Sequence, residues 1–389
     1  MGKIYLDIVG KKHSMYDELV RYPPDGYEVL ENHDLHFDTI YKKIIKIDAL
    51  YSIQKNIISN FLPVNLYKAW LDKSKKLPDD ICLTYSSGHL IFRNEPWIVD
   101  LEYILHLSGY SFFHFRNYQS LIEKKLKSKN CKKIIPWTYA GAKSISILIK
   151  DKEILEKIQP VHLAVHKKNF LKNFKCDKIR FLFVTSINIP KDFDMKGGKE
   201  VIQAFIQLYK QYDNLELIIR SYVPQEIKNK YKNEPNITFI ETILPWSDLE
   251  NLFKLSDIFL FPSHHTPGLV ILDAMSYELP IITTDLWATP EMVIDGENGF
   301  LIEKSKKINY YLYSCIPNWG SRANLKIIRN FTDPNVVAEL AEKMKILIEN
   351  EKLRRSMGKT GREIIEHGEF SIDKRNNALK KIFDDIVIK

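Results

Sequence analysis

The chain lacks several short signatures that would assign its chemistry directly. Neither a Gly-X-Gly-X-X-Gly fingerprint nor a Gly-X-X-X-X-Gly-Lys-Ser/Thr phosphate loop occurs in its 389 residues, so two common nucleotide-binding motifs are absent. The four cysteines, Cys82, Cys131, Cys176 and Cys315, show no Cys-X-X-Cys spacing. We therefore expect no zinc site and no disulfide framework, and reduced thiols in a cytoplasm fit this pattern better.

Long apolar segments are also missing. No run of 18 uncharged apolar residues occurs, so we expect no segment to span a membrane. Acidic and basic residues appear within the first 20 positions, too early for a signal peptide. These absences predict a cytoplasmic protein, with the inner face of the membrane as an open alternative.

The composition is that of an ordinary globular protein, with 45% hydrophobic and 27% charged residues. A chain of this length is expected to form two domains of about 150–200 residues, each with its own core. The net charge of +8 fits an anionic partner such as a nucleotide-sugar, a lipid phosphate or an acidic membrane. It is too small to indicate nucleic acid, and a generic lysine-rich surface explains it equally well.

The most informative stretch is 258–300. Residues 258–261 form an apolar run of strand length that ends at Pro262. Pro267 and Gly268 then begin a predicted helix, because proline fits the first turn of a helix. Pro280 ends that helix, and 281–284 is the next strand. Strands that alternate with helices at this spacing predict a parallel, doubly wound α/β sheet.

The start of this predicted helix is a candidate anion site. The free N–H groups of Gly268, Leu269 and Val270 would point out of a helix that follows a strand, which suits a diphosphate. Gly268 would let the ligand approach the backbone closely, and Asp273 would reach a ribose hydroxyl. The alternative is a plain crossover helix with a solvated Asp273.

The same stretch resembles the nucleotide-sugar signature of the retaining glycosyltransferases of family 4, which have the two-domain GT-B fold. The family pattern has a Glu after Pro-Ser and a second Glu before Ala-Met. In this chain His265 stands at the first of these positions and Asp273 at the second. The positions that keep the pattern are Pro262-Ser263, Gly268-Leu269-Val270, Ala274-Met275, Leu279-Pro280, Pro290-Glu291 and 295–300.

The resemblance is strong over 178–300 and weak over the amino-terminal half. It implies an acceptor domain at 1–168, a nucleotide-sugar domain at 169–368, and a C-terminal helix at 369–389 that crosses back to the first domain. Both domains would be Rossmann-like and would face a cleft.

The resemblance also implies roles for individual residues of the second domain. Lys196 matches the family Lys that holds the donor diphosphate, and the backbone of Ile243 matches a contact to the base. Ser186 stands where the family has an Arg, so one of two cations is missing, and Lys191 or Arg220 would have to replace it. His265 would contact the sugar hydroxyls or the phosphate.

The candidate acceptor residues of the first half leave alternatives open. Asp100 stands where the family has a His at a strand end; it would orient an acceptor hydroxyl or take its proton, or it is a solvated strand end or a helix cap. Loop 10–14 would seat an anionic acceptor or form a solvated turn. Segment 304–332 would be a lid or acceptor contact, or a surface loop, which we favour.

Together these features predict an enzyme that moves a sugar from a UDP- or GDP-sugar to a hydroxyl acceptor. A lipid-linked acceptor is one form of this prediction. Retention of the anomeric configuration is what the family implies. We expect no cofactor and no metal, since the Asp-X-Asp spacing at 192–194 falls in a predicted solvated loop. The alternatives are a non-catalytic nucleotide-sugar-binding protein, which the departures at Ser186, His265 and Asp100 favour, and an epimerase or phosphorylase on the same fold.

Overall fold

The computed structural model describes residues 1–8, 13–31, 63–71, 73, 75–172 and 178–387. The chain divides into two compact units, Met1–Ala164 with Ile372–Lys389, and Val165–Ser371. These limits differ by a few residues from the domain boundaries expected at 168 and 368. Cys82, Cys131 and Cys315 are free thiols, and Cys176 lies outside the described residues.

The first unit is built on a five-stranded parallel sheet with the order β2-β1-β3-β4-β5. Every residue of β4, WIVDL, is buried, as expected for a central strand covered on both faces. The strands are β1 (Gly2–Ile8), β2 (Tyr27–Leu30), β3 (Ile81–Ser87), β4 (Trp97–Leu101) and β5 (Cys131–Pro136).

Three helices of the first unit follow residues whose side chains cap them. Ser111, Thr138 and Asp151 each accept a hydrogen bond from a backbone N–H of the helix that follows, which satisfies one free donor of the first turn. The helices are α1 (Ser14–Arg21), α2 (Val64–Leu71), α3 (Phe112–Lys127), α4 (Tyr139–Leu148), α5 (Lys152–Leu155), a 3₁₀ helix (Ile104–Ser108) and the C-terminal helix (Ile372–Val387).

The second unit is built on a six-stranded parallel sheet with the order β11-β10-β9-β6-β7-β8. The strand order reverses between β6 and β9, and a doubly wound sheet binds its ligand beyond the carboxyl ends of the strands at such a point. The strands are β6 (Ile179–Val184), β7 (Leu215–Arg220), β8 (Ile237–Ile240), β9 (Ile258–Phe261), β10 (Ile281–Thr284) and β11 (Gly299–Ile302).

One helix boundary differs from the sequence prediction. The helix after β9 begins at Val270, not at Gly268, because the N–H groups of Ile271 and Leu272 bond to carbonyls only three residues back and form a tight turn first. The helices are α6 (Lys191–Met195), α7 (Gly198–Tyr209), α8 (Gln225–Tyr231), α9 (Trp246–Leu255), α10 (Val270–Ser276), a 3₁₀ helix (Thr289–Glu291), α11 (Arg322–Asn330), α12 (Pro334–Glu349) and α13 (Glu351–Glu366).

Segment 304–332, called the insert below, is folded, so the favoured interpretation as a surface loop was wrong. It contains an antiparallel pair, β12 (Tyr311–Tyr313) with β13 (Ile316–Pro317), followed by α11. Its aromatic and aliphatic side chains are the reason, because they bury against the loop after β10. The cluster comprises Leu286, Ile308, Tyr310 and Ile328, with Trp287, Tyr311, Trp319 and Ile327 packed against it.

Gly197 joins α6 to α7 in a conformation that only glycine adopts without strain. Its φ is +85°, and a Cβ there would lie 2.3 Å from the carbonyl oxygen of Pro262. We expect Gly197→Ala to destabilise the protein by about 1–3 kcal/mol, measured by urea unfolding. Gly320→Ala is the control, because nothing lies within 4 Å of the added methyl; equal midpoints for both variants would contradict the strain argument.

Candidate functional site

Two loops meet at the carboxyl edge of the second sheet. β6 and β9 are hydrogen-bonded neighbours, so the connection 185–197 after β6 and the β9–α10 loop (262–269) leave the sheet side by side. Parallel strands place all their carboxyl ends at one edge, where polar groups from different loops converge. The residues predicted to bind the donor in the second unit lie on these two connections, on α10 and after β8.

Lys196 links the two loops directly. It ends α6, is 9% exposed, and donates a hydrogen bond from Nζ to the carbonyl oxygen of Thr266 at 2.6 Å. The same ammonium lies 5.3 Å from the centre of the Phe261 ring. The apolar ring and the loop carbonyl thus hold one positive charge at the sheet edge, where an anionic ligand would meet it.

Backbone donors lie at the end of the β9–α10 loop. Within the described parts of the chain, no protein acceptor takes the N–H groups of Gly268, Leu269 or Val270. All three residues are partly exposed. A Cβ at Gly268 would lie 3.1 Å from the Phe261 ring, which makes this a tight position.

His265 has a buried nitrogen that no protein group satisfies. Its backbone N–H donates to Ser263 Oγ at 3.0 Å, and its ring packs on Trp319 of the insert with 4.7 Å between centroids. Nδ1 is buried without a hydrogen bond among the residues described. Burial, and then the charges of Lys196 and Lys191, hold the pKa of His265 well below its ordinary value. The imidazole is therefore neutral at physiological pH.

His264, in contrast to His265, has protein partners for both ring nitrogens, which the sequence did not reveal. Its two ring nitrogens lie 2.9 Å from the Tyr310 hydroxyl and 3.1 Å from Glu200 Oε1. His264, Tyr310 and Glu200 are all buried. The β9–α10 loop is thereby joined to α7 on one side and to the insert on the other. Neither partner is near His264 in sequence, so no local pattern could have predicted this network.

The remaining donor residues lie at neighbouring strand ends. Ser186 is partly exposed after β6, and its Oγ accepts from the N–H of Asn188 at 3.2 Å. Arg220, one suggested replacement for the missing cation, ends β7 and donates from Nη1 to the carbonyl of Thr185 at 2.9 Å. Its Nε is buried and makes no hydrogen bond with the described residues. Arg220 therefore adds a second cation close to Ser186.

Ile243 and Asp273 complete the predicted donor set. Ile243 follows β8 and is 76% exposed. Asp273 is partly exposed in the first turn of α10. The structure thus places every predicted donor residue of the second unit at or near one sheet edge, whereas Asp100 belongs to the first unit.

The Asp-X-Asp sequence at 192–194 was expected to lie in a solvated loop. It lies instead on the short helix α6. Asp194 pairs with Lys199 at 3.5 Å, and burial raises the pKa of Asp192 and of Asp194. Among the described residues, no group of three or more His, Cys, Asp or Glu side chains could hold a metal ion.

Asp100 is the penultimate residue of β4 and is 0% exposed, so it is neither a solvated strand end nor an exposed cap. The Tyr16 hydroxyl donates to its two carboxylate oxygens, at 2.8 and 3.0 Å. Burial raises the pKa of Asp100 to about 7, although the hydrogen bond from Tyr16 acts against this shift. A carboxylate with that pKa exchanges a proton near neutral pH, as general acid–base chemistry requires.

A recess in the first unit lies against Asp100 and Tyr16. Arg375 of the C-terminal helix reaches it, is 6% exposed, and donates to the carbonyl of Tyr22 at 2.6 Å. Burial lowers the pKa of Arg375 to about 10. The wall is otherwise mostly apolar: Met15, Leu19, Tyr85, Trp137, Val161, His162, Leu163, Ala164 and Leu379.

A buried ion pair that the sequence did not indicate lies at the carboxyl ends of β1 and β3. Arg93 Nη2 contacts Asp7 Oδ2 at 2.7 Å, and His89 Nε2 lies 3.5 Å from Asp7 Oδ1. Burial alone would raise the pKa of Asp7, but His89 and Arg93 hold it well below its ordinary value. Residues 10–12 of the predicted loop 10–14 lie outside the described residues.

Comparison with known proteins assigns the second unit. Residues 178–311 match the family model for "Glycosyl transferases group 1". This range contains Lys196, the β9–α10 loop and α10. This part of the chain is therefore similar to the group 1 glycosyltransferases. None of the helices that the structure describes combines the length and the hydropathy needed to cross a bilayer.

Two curated relatives show how far the similarity extends. The chain is 27% identical over 179 residues to the capsular polysaccharide biosynthesis glycosyltransferase CapM of Staphylococcus aureus, covering 44% of this chain and 38% of CapM. It is 24% identical over 390 residues to the uncharacterized glycosyltransferase MJ1069 of Methanocaldococcus jannaschii, covering 95% and 85%. The chain thus matches well under half of CapM but most of MJ1069.

Solved structures establish the fold. HepE of Anabaena, in complex with UDP, has a TM-score of 0.63 at 14% identity and covers 99% of this chain and 100% of its own. TarM of S. aureus has a TM-score of 0.56 at 16% identity and covers 82% of this chain and 58% of its own. The expected GT-B fold is confirmed.

Asp100→Asn is expected to change the pH dependence of stability. With a folded pKa of about 7 against an ordinary value of 3.8, folded Asp100 binds more protons than unfolded Asp100 between these values. Its contribution to stability is therefore lost as pH rises from about 4 to 7. The variant lacks this loss, so its unfolding free energy at pH 8, relative to pH 5, should exceed that of the parent protein.

Urea unfolding at the two pH values measures this difference. Asp25→Asn, which changes an exposed carboxylate, is the matched control and should follow the parent protein. An Asp100→Asn variant with the parent's pH dependence would show that the buried carboxyl group is charged throughout this range.

Proposed function

We propose that the chain transfers a sugar from a UDP- or GDP-sugar to a hydroxyl group of an acceptor. The observation that carries this proposal is the meeting of Lys196 with the β9–α10 loop, beside three backbone N–H groups, inside the group 1 match. HepE, whose solved structures include complexes with UDP and with UDP-glucose, has the same fold.

In this proposal the donor diphosphate binds at Gly268, Leu269, Val270 and Lys196. Negative charge grows on the diphosphate as its bond to the sugar breaks, so fixed donors at this place stabilise the transition state. Because Lys196 is already held by Thr266, little reorganisation is needed when the charge develops. Arg220 supplies the second cation that the Ser186 position lacks.

The other donor residues recognise the nucleoside and the sugar. The exposed backbone and side chain at Ile243 contact the base, and Asp273 accepts a hydrogen bond from a ribose hydroxyl. His265, neutral because of its depressed pKa, hydrogen-bonds to the sugar without the charge that a Glu would bring. Retention of the anomeric configuration is part of the proposal, as is catalysis without a cofactor or a metal ion.

The acceptor belongs to the first unit in this proposal, with Asp100 as the carboxyl group that orients or deprotonates its hydroxyl. Glycan, glycolipid and polysaccharide acceptors all fit, and a lipid-linked acceptor would bring the enzyme to the inner face of the membrane from the cytoplasm. Two relatives have names that mention a polysaccharide or a glycolipid: CapM and the alpha-monoglucosyldiacylglycerol synthase of Acholeplasma laidlawii.

A panel of UDP- and GDP-sugars tests the activity. We expect one donor both to raise the thermal unfolding temperature and to release its nucleoside diphosphate, and the released sugar or product to keep its anomeric configuration by NMR. The rate should survive EDTA. Stabilisation without release would favour a non-catalytic binding protein, and a panel that gives neither effect contradicts the enzyme proposal.

Lys196→Ala should weaken binding of UDP or GDP by about 10- to 100-fold, because a charged hydrogen bond to phosphate is lost. Isothermal titration calorimetry measures this change. Lys352→Ala removes an exposed lysine on α13 and serves as the control, and Lys196→Arg should recover part of the affinity. An unchanged affinity in Lys196→Ala would remove this residue from the phosphate site.

A further inference from the structure

The insert places an indole against the one histidine of the β9–α10 loop that keeps an unsatisfied nitrogen. Trp319 and His265 have ring centroids 4.7 Å apart and planes inclined by 35°. Trp319 Nε1 and His265 Nδ1 are both buried, and neither makes a hydrogen bond with any residue that the structure describes. Two such atoms on contacting rings are unusual, because most buried polar groups are satisfied.

Resting on the proposed function, we propose that Trp319 and His265 form the subsite that binds the donor sugar, with the indole N–H of Trp319 donating to a sugar hydroxyl. In this proposal the insert determines which donor sugar the site accepts. Trp319 then becomes a specificity-determining residue.

The chemistry of the two side chains defines what they accept. An indole N–H only donates, whereas a neutral imidazole offers one donor and one acceptor. A sugar hydroxyl both donates and accepts, so adjacent hydroxyl groups on one sugar ring satisfy Trp319 and His265 together. The aromatic faces also offer an apolar surface of the kind that packs against the C–H groups of a sugar ring.

Trp319 is held in place by the rest of the insert and by the core beneath it. Asn318, the preceding residue, donates from its N–H to the carbonyl of Tyr310 at 2.9 Å. Tyr310 in turn bonds to His264 at 2.9 Å, the residue that precedes His265. The two halves of the subsite are therefore fixed to each other through adjacent residues, which keeps the geometry of the indole and the imidazole constant.

A further contact anchors the insert to the helix that follows Lys196 and Gly197. Lys199 of α7 donates to the carbonyls of Ile328 and Arg329, at 2.7 and 2.6 Å, near the end of α11. The connection that carries the phosphate-binding lysine and the insert that carries Trp319 are thus parts of one hydrogen-bonded assembly. The sugar subsite lies next to the loop on which the diphosphate is proposed to bind.

Trp319→Phe tests the proposal, because it keeps the ring and removes the N–H. We compare the affinity of UDP with that of UDP-glucose, and of GDP with that of GDP-mannose, by calorimetry. The variant should bind the nucleoside diphosphate as the parent does and its sugar conjugate about 2- to 10-fold more weakly, the effect of one neutral hydrogen bond. Trp70→Phe, an exposed tryptophan of the first unit, should change neither affinity.

Deoxy analogues of the sugar that binds identify the hydroxyl. One analogue should bind the parent about 2- to 10-fold more weakly than the full nucleotide-sugar, and Trp319→Phe should bind that analogue and the full nucleotide-sugar equally. His265→Phe, which keeps the ring contact and removes both nitrogens, should likewise lose the penalty for one hydroxyl. It also provides the test if Trp319→Phe does not fold.

The outcomes separate this inference from the proposed function. If Trp319→Phe weakens UDP and UDP-glucose equally, or if both variants keep the parent's penalty for every analogue, the subsite is wrong while nucleotide binding stands. If the parent protein binds none of the four probes, the proposed function and the subsite are both overturned.

Discussion

The hydrogen bond from Lys196 to the carbonyl of Thr266 is the contact on which the candidate site depends. It exists because β6 and β9 are adjacent in a sheet whose strand order reverses between them. One ammonium thereby does two things: it sets the electrostatic character of the site, and it fixes the loop that carries the backbone donors. The charge and the shape of the site therefore depend on the same atom.

Adjacent histidines of the β9–α10 loop differ in how their ring nitrogens are satisfied. His264 has both ring nitrogens satisfied by buried partners from α7 and the insert, which stabilises the loop from the side of the core. His265 retains a buried nitrogen that no described protein group satisfies. Two residues of one type, next to each other, thus have different environments.

Local pattern was sufficient for the strands that frame the site. β9 and β10 have the predicted limits, 258–261 and 281–284, because short apolar runs ending at polar residues leave little choice. It failed where distant residues decide. The aromatic content of 304–332 did not reveal that Tyr310 contacts His264. Segment 192–194, expected to be a solvated loop, lies on α6, where Asp194 pairs with Lys199. Local pattern also did not predict the structural surroundings of Ser186, His265 and Asp100.

The first unit is discontinuous in sequence, since Ile372–Lys389 belongs with Met1–Ala164. Arg375 bonds to the carbonyl of Tyr22, and Asp384 accepts from the Tyr27 hydroxyl at 2.7 Å. These partners lie some 350 residues apart in the sequence, so the ribosome synthesises them at different times. The second unit, which lies between these partners in sequence, can therefore finish folding first. The sheet of the first unit is synthesised earliest but stays incomplete until the C-terminal helix is made. Premature termination of translation would leave an intact second unit attached to an unfinished first unit.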